Sequence, residues 1–346
     1  MKTTVFIRSL HEEDKSSSLA KSVKELNDGK SSKDIFILDP NSFRQVPNSP
    51  FSYWISERIK KLFLDLPSFE GEDRTIKQGI ATADDFRFVR TWWEVPADLI
   101  LDANNKTQQD VENWTKEQQS EYQKWCNQRT YEGKHWVHFA KGGEYSPFYA
   151  DIHLMVNWKN GGLELKTFSG SVIRNPDFYF RSGLTWPRRS FRMRSAPIPS
   201  GCIFSHAGMM AFLPTDQLSA YLALMGSLLF DYLIKLRSGS FGGSQFEVGL
   251  IQTQPVPQTN FQNNNLKDAG QIVWSINLDI ASSNETSYAF TSPVCFKVAG
   301  KNLNDRSIML TSINKRALNS LAVTQSNIDK IVFKLYGFTE ENQEEI

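Results

Sequence analysis

The stretch from Leu218 to Leu236 reads LSAYLALMGSLLFDYLIKL and is the richest apolar run of the 346-residue chain. Its apolar side chains recur every three or four residues, the spacing that places them on one face of a helix. They are Leu218, Tyr221, Leu222, Met225, Leu229, Tyr232 and Leu233. Thr215 or Asp216 can cap its start, and the Tyr, Ser, Asp and Lys side chains within it argue against a membrane span. The pattern therefore predicts one core helix with a structural role.

Short β-branched and aromatic runs, separated by Gly, Asn and Pro, surround this helix in the sequence and predict strands. Upstream they are His135–Ala140, Ile152–Trp158, Leu163–Phe168, Phe178–Phe180 and Gly201–Ser205, and downstream they are Phe246–Ile251 and Ile272–Ile280. A closing helix is predicted over Asn314–Tyr336. We therefore expect an α+β fold, in which a mixed β-rich domain with supporting helices is flanked by small N- and C-terminal segments.

The first third of the chain is more irregular. Strands are predicted at Thr4–Ser9 and Ile35–Leu38, with a polar stretch between them, and again around Phe88–Val95. A helix that Ser52 could cap carries apolar residues on one face and ends at Pro67. Residues 108–132 are rich in Gln and Glu and predict a solvated helix. The resulting division is 1–67, 68–257 for the β-rich domain, and 258–346 for a strand-and-helix unit.

Composition gives a general class and one local signal. Apolar residues make up 40% of the chain and charged residues 22%, which is typical of a globular protein. Three widely spaced cysteines and the lack of a signal peptide favour a reducing cytoplasm and no disulfide framework. The net charge is only +1, but between Lys141 and Arg194 nine basic side chains face four acidic ones, an excess of five. That segment could dock a polyanion.

The sequence strings that come nearest to catalytic motifs lack the context that each motif requires. No paired glycines follow a clear strand and open a helix, as a methyl-donor site requires. The string Asn175–Phe178 lacks the second proline of the loop that holds a flipped adenine, so a turn is the better interpretation. His135 and His138 fall on opposite faces of a strand, which is unsuitable for a shared metal. Cys202 and His206 lack an oxyanion device and a third partner. No catalytic or metal-binding residue is predicted.

Arginine is the feature that stands out. Six arginines between Arg174 and Arg194 are interleaved with aromatic residues and accompanied by one acid, Asp177. The guanidinium group is a planar donor fork that suits phosphate oxygens and the major-groove edge of guanine. A solvated strand face with scattered ion pairs explains the same pattern, and the residues alone leave both interpretations open.

Several strings together resemble the target-recognition portion of large adenine-specific DNA methyltransferases. That group includes the BREX phage-defence methyltransferases and the single-chain type IIG restriction–modification enzymes. The strings are Gln78–Arg90 with Trp92–Val95; Trp136–Phe139 with Lys141–Asp151 and Val156–Trp158; Arg174-Asn175 with Gly183–Arg189; Gly201–Ser205; and Phe246–Gly249 with Pro255-Val256-Pro257. Phe43–Trp54 resembles the exit from the catalytic domain, and Leu335–Gly337 resembles the end of the recognition region.

The resemblance implies DNA target recognition for an adenine-specific methyltransferase, with the catalytic half absent from this chain. The expected partners are double-stranded DNA and a methyltransferase catalytic subunit or domain, which would bind the S-adenosylmethionine. Candidate DNA contacts are Arg188, Arg189, Arg192 and Arg194, then Arg174, Arg181 and Lys141, with Arg87 and Arg90 in the segment Thr82–Arg90. The alternatives are a protein-interaction module or truncated remnant without DNA binding, and a stand-alone enzyme with an unrecognised site.

Overall fold

The computed structural model describes residues 3–10, 12–101, 114–143, 148–238, 244–257, 264–340, 343 and 346. It divides the chain into two compact units, Met1–Ser68 and Phe69–Ile346. The first unit contains β1 (Thr4–Ile7), α1 (Lys15–Asn27), β2 (Ile35–Leu38), a 3₁₀ turn (Pro40–Gln45) and α2 (Glu57–Asp65). β1 and β2 pair antiparallel, and the polar stretch between them forms α1, whose start Asp14 caps. Ser56, not Ser52, caps α2.

The second unit opens with short elements that lead into the β-rich body. These are β3 (Thr75–Lys77), α3 (Asp85–Phe88), β4 (Val89–Thr91) and α4 (Lys116–Tyr131). The part of the predicted 108–132 helix that precedes residue 114 lies outside the described residues. The body follows with β5 (Trp136–Ala140), β6 (Leu154–Asn157), α5 (Lys159–Thr167), β7 (Gly183–Thr185), β8 (Arg189–Ser190), β9 (Ala196–Ile198), β10 (Ile203–Phe204) and β11 (Met210–Phe212).

The C-terminal part of this unit is mainly helical. It contains α6 (Leu218–Met225), α7 (Leu228–Ser238), β12 (Ser244–Gln245), α8 (Val248–Gln252), α9 (Asn264–Ala281), α10 (Val294–Lys297) and α11 (Leu303–Leu335). Among the described helices none is by itself long and apolar enough to cross a membrane, although the bent pair Thr215–Met225 and Leu228–Ser238 passes that test by length and composition.

Two four-stranded sheets share the main core. One has the order β10-β5-β6-β4, with β10 parallel to β5 and the other pairs antiparallel. The other has the order β3-β11-β7-β9 and is antiparallel throughout. Buried aromatic residues from both sheets, including Phe139, Phe204 and Phe212, belong to one apolar cluster. The mixed sheets and packed helices confirm the predicted α+β class.

One strand prediction is wrong because the pattern of a short segment differs from that of the longer helix to which the segment belongs. Ile272–Ile280 alternates like a strand but lies inside α9. Leu266, Ala269 and Val273 are buried hydrophobic residues of this helix, and their spacing of three and four is that of a helix face. The C-terminal unit therefore lacks the predicted strand. Its boundary near residue 257 stays a prediction.

Four further assignments are corrected. The segment Leu163–Phe168 is mostly helical in α5, Phe178–Phe180 begins in a 3₁₀ turn, and Phe246–Ile251 mostly forms α8. The single helix predicted over Leu218–Leu236 is two helices that meet at 70°. Gly226 ends the first of them, and the Ser227 hydroxyl accepts a hydrogen bond from the Phe230 amide at 3.3 Å to start the second.

Candidate nucleic-acid interface

A loop of ten residues connects β7 to β9, and it carries four of the predicted arginines. Because β7 and β9 are antiparallel neighbours, residues 186–195 leave and re-enter the same end of their sheet. Within this arginine loop, β8 pairs antiparallel with β12, with Arg189 opposite Gln245. The loop is therefore supported by backbone pairing as well as by its two ends.

Buried side chains fix both ends of the arginine loop. At its start Trp186 is fully buried, and its indole Nε1 donates to the Phe246 carbonyl at 3.0 Å. Near its end the buried Met193 amide donates to the Asp231 carboxylate at 2.6 Å. The Arg194 guanidinium donates to the Gly226 carbonyl and to Gln325 Oε1, each at 2.9 Å. These contacts hold the loop against α7 and α11.

The four arginines of the loop are not equivalent. Arg188 pairs with Glu247 at 2.7 Å, and Arg194 is committed to the internal contacts above. Arg189 is exposed and Arg192 is half-buried. Neither of these two makes an ion pair or a side-chain hydrogen bond with any described residue; Arg192 acts on Asp329 only through a longer-range electrostatic interaction. Arg189 and Arg192 are therefore the guanidinium groups of the loop with the most capacity for an external anion.

Arg181 lies at the opposite end of the same sheet. It precedes β7, whose three residues span roughly 10 Å, whereas the arginine loop follows β7. Its guanidinium carbon is 5.0 Å from the Phe178 ring centroid and 5.4 Å from that of Phe212. Burial lowers the pKa of Arg181. The arginines that cluster in sequence thus form more than one cluster in space.

The other predicted contacts are largely engaged within the protein. Arg87 pairs with Glu164 at 2.7 Å. Arg90 donates to the carbonyl groups of Phe86 and Val89 at 2.5 and 2.7 Å. The segment Thr82–Arg90 is therefore bound to its own surroundings.

Lys141 and Arg174 complete the predicted set. The Lys141 ammonium pairs with Asp85. Burial opposes ionisation of Asp85, but hydrogen bonds from Lys141 and Thr82 outweigh it and lower its pKa. Arg174 is half-buried, and its side chain has no ion pair with a described residue. Its carbonyl accepts from the Tyr179 hydroxyl at 2.7 Å.

A cleft of about 600 Å³ lies beside the arginine loop. Trp186 and Arg194 line it from the loop, and Lys141, Gly142 and Gly143 line it from the end of β5. Both glycines have positive φ angles, 89° and 75°, which non-glycine residues rarely adopt. The cleft therefore brings the end of one sheet next to the loop that extends from the other.

A polar network that sequence reasoning missed forms a further part of this cleft. The Asp151 carboxylate is 3.3 Å from His153 Nδ1 and accepts from the Ser287 hydroxyl at 3.2 Å and the Tyr288 amide at 2.9 Å. Burial opposes ionisation of Asp151, but the hydrogen bond from His153 and those from residues 287 and 288 lower its pKa. The pKa of His153 is raised by the same bond. Tyr149 adds a 2.9 Å hydrogen bond to Ser287.

This network joins segments about 136 residues apart in sequence. The string Tyr149-Ala150-Asp151 was noted only as part of a resemblance, and nothing local to it indicates a partner near residue 287. Asp151 lies between Ser287 and His153, so the order is not that of a nucleophile activated by a base. The network acts as a structural tie that joins one wall of the cleft to the segment around Ser287.

The rejected catalytic strings have internal roles. The Asn175 amide donates to the Gln78 carbonyl at 2.8 Å, and the Phe178 ring packs on Phe212. The Phe178 ring, which would have to stack on a flipped adenine, is thus engaged inside the protein. Cys202 is buried, which raises its pKa and disfavours the thiolate, and His206 Nδ1 lies 3.3 Å from the Ile80 carbonyl.

Comparisons with known proteins give a consistent set of relatives. No protein-family model matches the chain. It is 28% identical over 317 residues to the adenine-specific methyltransferase BrxX of Escherichia coli O9:H4 (strain HS), a match that covers 88% of this chain and 23% of BrxX. It is 23% identical over 322 residues to the adenine-specific methyltransferase PglX of Lacticaseibacillus casei (strain Zhang), covering 87% of this chain and 24% of PglX.

The structural comparison is weaker. The type IIL restriction–modification enzyme MmeI, solved in complex with DNA, aligns over 79% of this chain and 34% of its own, with a TM-score of 0.43 and 14% identity. That degree of likeness supports no argument about site or function. The two sequence matches identify this chain as a homologue of the adenine-specific methyltransferases BrxX and PglX, of whose length it spans about a quarter.

Proposed function

We propose that this chain recognises duplex DNA on behalf of an adenine-specific methyltransferase in a BREX or restriction–modification defence system. The relationship to BrxX and PglX supports the choice of system. Methyl transfer and S-adenosylmethionine binding are assigned to a separate catalytic subunit or domain. The packing of Phe178 against Phe212 agrees with that assignment, because a flipped adenine needs an available aromatic ring face.

The observation that carries the proposal is the contrast within the arginine loop. Its ends are held by buried contacts, while Arg189 and Arg192 have no ion pair with the described residues. Guanidinium groups on a supported backbone can contact phosphate or a guanine edge with little loss of loop entropy. Arg188 is 39% exposed despite its pair with Glu247 and can add a further contact. Arg188, Arg189 and Arg192 therefore stay our first candidates, with Arg189 and Arg192 foremost, whereas Arg194 would have to give up its internal hydrogen bonds to contact DNA.

Arg174, Arg181, Lys141, Arg87 and Arg90 are secondary candidates in this proposal. Each of them except Arg174 makes an ion pair, a hydrogen bond or a ring contact inside the protein. Those that contact DNA would have to exchange an internal partner for a phosphate, which reduces the net gain.

The test is a titration of end-labelled duplex DNA of mixed sequence at several salt concentrations. If four to six phosphates are neutralised, log affinity should fall against log salt with a slope of roughly −4 to −5. Replacing both Arg189→Gln and Arg192→Gln should make the slope shallower by about 2. Arg316→Gln, at an exposed position on α11, is the matched control and should leave the slope unchanged.

Three outcomes would contradict the proposal. A flat salt response of the unaltered chain would remove the electrostatic contact altogether. Co-purification with a methyltransferase subunit in the absence of DNA affinity would support a protein-interaction module instead. Binding of S-adenosylmethionine by the purified chain would support a stand-alone enzyme.

A further inference from the structure

Phe191 occupies the middle of the arginine loop and is 85% exposed. It follows Ser190, the last residue of β8, and lies in sequence between Arg189 and Arg192. An exposed phenylalanine forgoes the hydrophobic stabilisation that burial of its ring would provide. On either side of it, Trp186 donates to the Phe246 carbonyl and the Met193 amide donates to Asp231, so the loop is held at both ends while the ring stays exposed.

The surroundings of the Phe191 ring are cationic. Lys235 Nζ lies 5.3 Å from the ring centroid, and the Asp231 carboxylate holds that ammonium group at 2.7 Å. The two flanking arginines have no ion pair with the described residues. Phe191 is therefore an aromatic ring presented within a basic surface, the combination that nucleic-acid-binding proteins use to stack on bases while gripping phosphates.

Another strongly exposed phenylalanine differs in the contacts of its neighbouring arginines. Phe86 is 93% exposed and is also near arginines. Those arginines are engaged, since Arg87 pairs with Glu164 and Arg90 donates to two carbonyl groups. Phe86 thus lacks unengaged cations that could anchor a nucleic-acid backbone beside it.

We propose that Phe191 inserts into the DNA base stack as a wedge when the arginine loop grips the flanking phosphates. This inference rests on the proposed function, because it needs the duplex to be bound. Its ligand is a base-pair step of duplex DNA that is partly unstacked. Insertion loses the stacking energy of that base-pair step and gains contact between the Phe191 ring and the base faces. Arg189 and Arg192 hold the DNA backbone on either side.

The experiment compares two end-labelled duplexes that differ only by a central mismatch. A mismatch has already lost part of its stacking, so a wedge should bind the mismatched duplex about tenfold more tightly. Phe191→Ala should abolish this preference and lower affinity for the paired duplex about tenfold. Phe191→Leu, which keeps an apolar wedge, should retain most of the preference. Phe296→Ala, at a 76% exposed ring on α10, is the matched control and should behave as the unaltered chain.

The outcomes separate the two proposals. Loss of the mismatch preference in Phe191→Ala, with the salt slope unchanged, supports the wedge. Equal binding of both duplexes by the unaltered chain, or a preference that survives Phe191→Ala, overturns the wedge and leaves DNA recognition intact. Absence of any salt-dependent binding overturns DNA recognition and the wedge with it.

Discussion

Replacing Asp231 by alanine tests whether contacts to α7 hold the arginine loop in place. The Asp231 carboxylate is almost fully buried and accepts from the Met193 amide at 2.6 Å, while Lys235 on the next turn of α7 pairs with it at 2.7 Å. Alanine leaves the amide of Met193, a residue that is only 1% exposed, without an acceptor. A buried hydrogen bond to a charged group contributes about 1.5–3 kcal/mol, and the half-exposed ion pair adds about 0–1 kcal/mol.

We therefore expect Asp231→Ala to lower the free energy of unfolding by about 2–4 kcal/mol, measured by urea denaturation. Its melting temperature should fall by roughly 5–10 °C. Asp231→Asn keeps an oxygen acceptor for the Met193 amide and should lose less, about 1 kcal/mol. Asp279→Ala, at an exposed position on α9, is the control and should change the free energy by less than about 0.5 kcal/mol.

The same substitution should weaken DNA binding, because a loosened arginine loop would have to become ordered when the DNA binds. Fixing the backbone of one loosened residue costs about 1–2 kcal/mol, so ordering even one residue on binding corresponds to a roughly 5- to 30-fold loss of affinity. If Asp231→Ala unfolds at the same urea concentration as the unaltered chain and binds duplex DNA equally well, the view that buried contacts hold this loop is wrong.

Two further predictions concern the cleft and the helical layer. His153→Gln should destabilise the protein more near pH 5.5 than near pH 8, as checked by denaturation at both values. Because the pKa of His153 is raised in the folded protein, its pairing with Asp151 stabilises the fold fully below the ordinary pKa of 6.5, and this stabilisation is lost as the pH rises through the pKa of the folded state. The lowered pKa of Asp151 keeps that carboxylate charged down to below pH 3.8. Equal losses at both pH values would contradict this reasoning. Gly270→Ala should destabilise by about 1–3 kcal/mol or more, because a Cβ there would overlap the Ser219 carbonyl of α6; a melting temperature equal to that of the unaltered chain would show that the two helices are not in such close contact.

The features that sequence predicts best here are those set by local pattern. Ile35–Leu38 forms a strand with the predicted bounds, and the stripe from Leu218 onward is buried apart from Tyr232, which is half-buried. The break at Gly226 was missed because the apolar stripe continues through it at helical spacing. Ile272–Ile280 was misassigned because alternation over nine residues fits a strand, and only the flanking Leu266 and Ala269 show the helical period.

The sequence predicts which residue type forms the candidate site, but it does not predict which of these arginines form ion pairs inside the protein. The density of arginine between Arg174 and Arg194 is visible in the sequence. Which of these arginines keeps an external role depends on partners that no local window contains. Arg188 meets Glu247 across 59 residues, and Arg87 meets Glu164 across 77. Tertiary contacts of this range divide a run of like charges into internal ties and surface groups.

Hydrogen–deuterium exchange on the protein with and without duplex DNA tests the central claim most directly, since it shows where the nucleic acid touches the backbone. The account places the contact at residues 188–192, whose amides should exchange more slowly in the complex, while those of the exposed α11 residues near Arg316 stay unchanged. Slower exchange confined to other segments, with residues 188–192 unaffected although the DNA is bound, would contradict the claim that this loop grips the duplex.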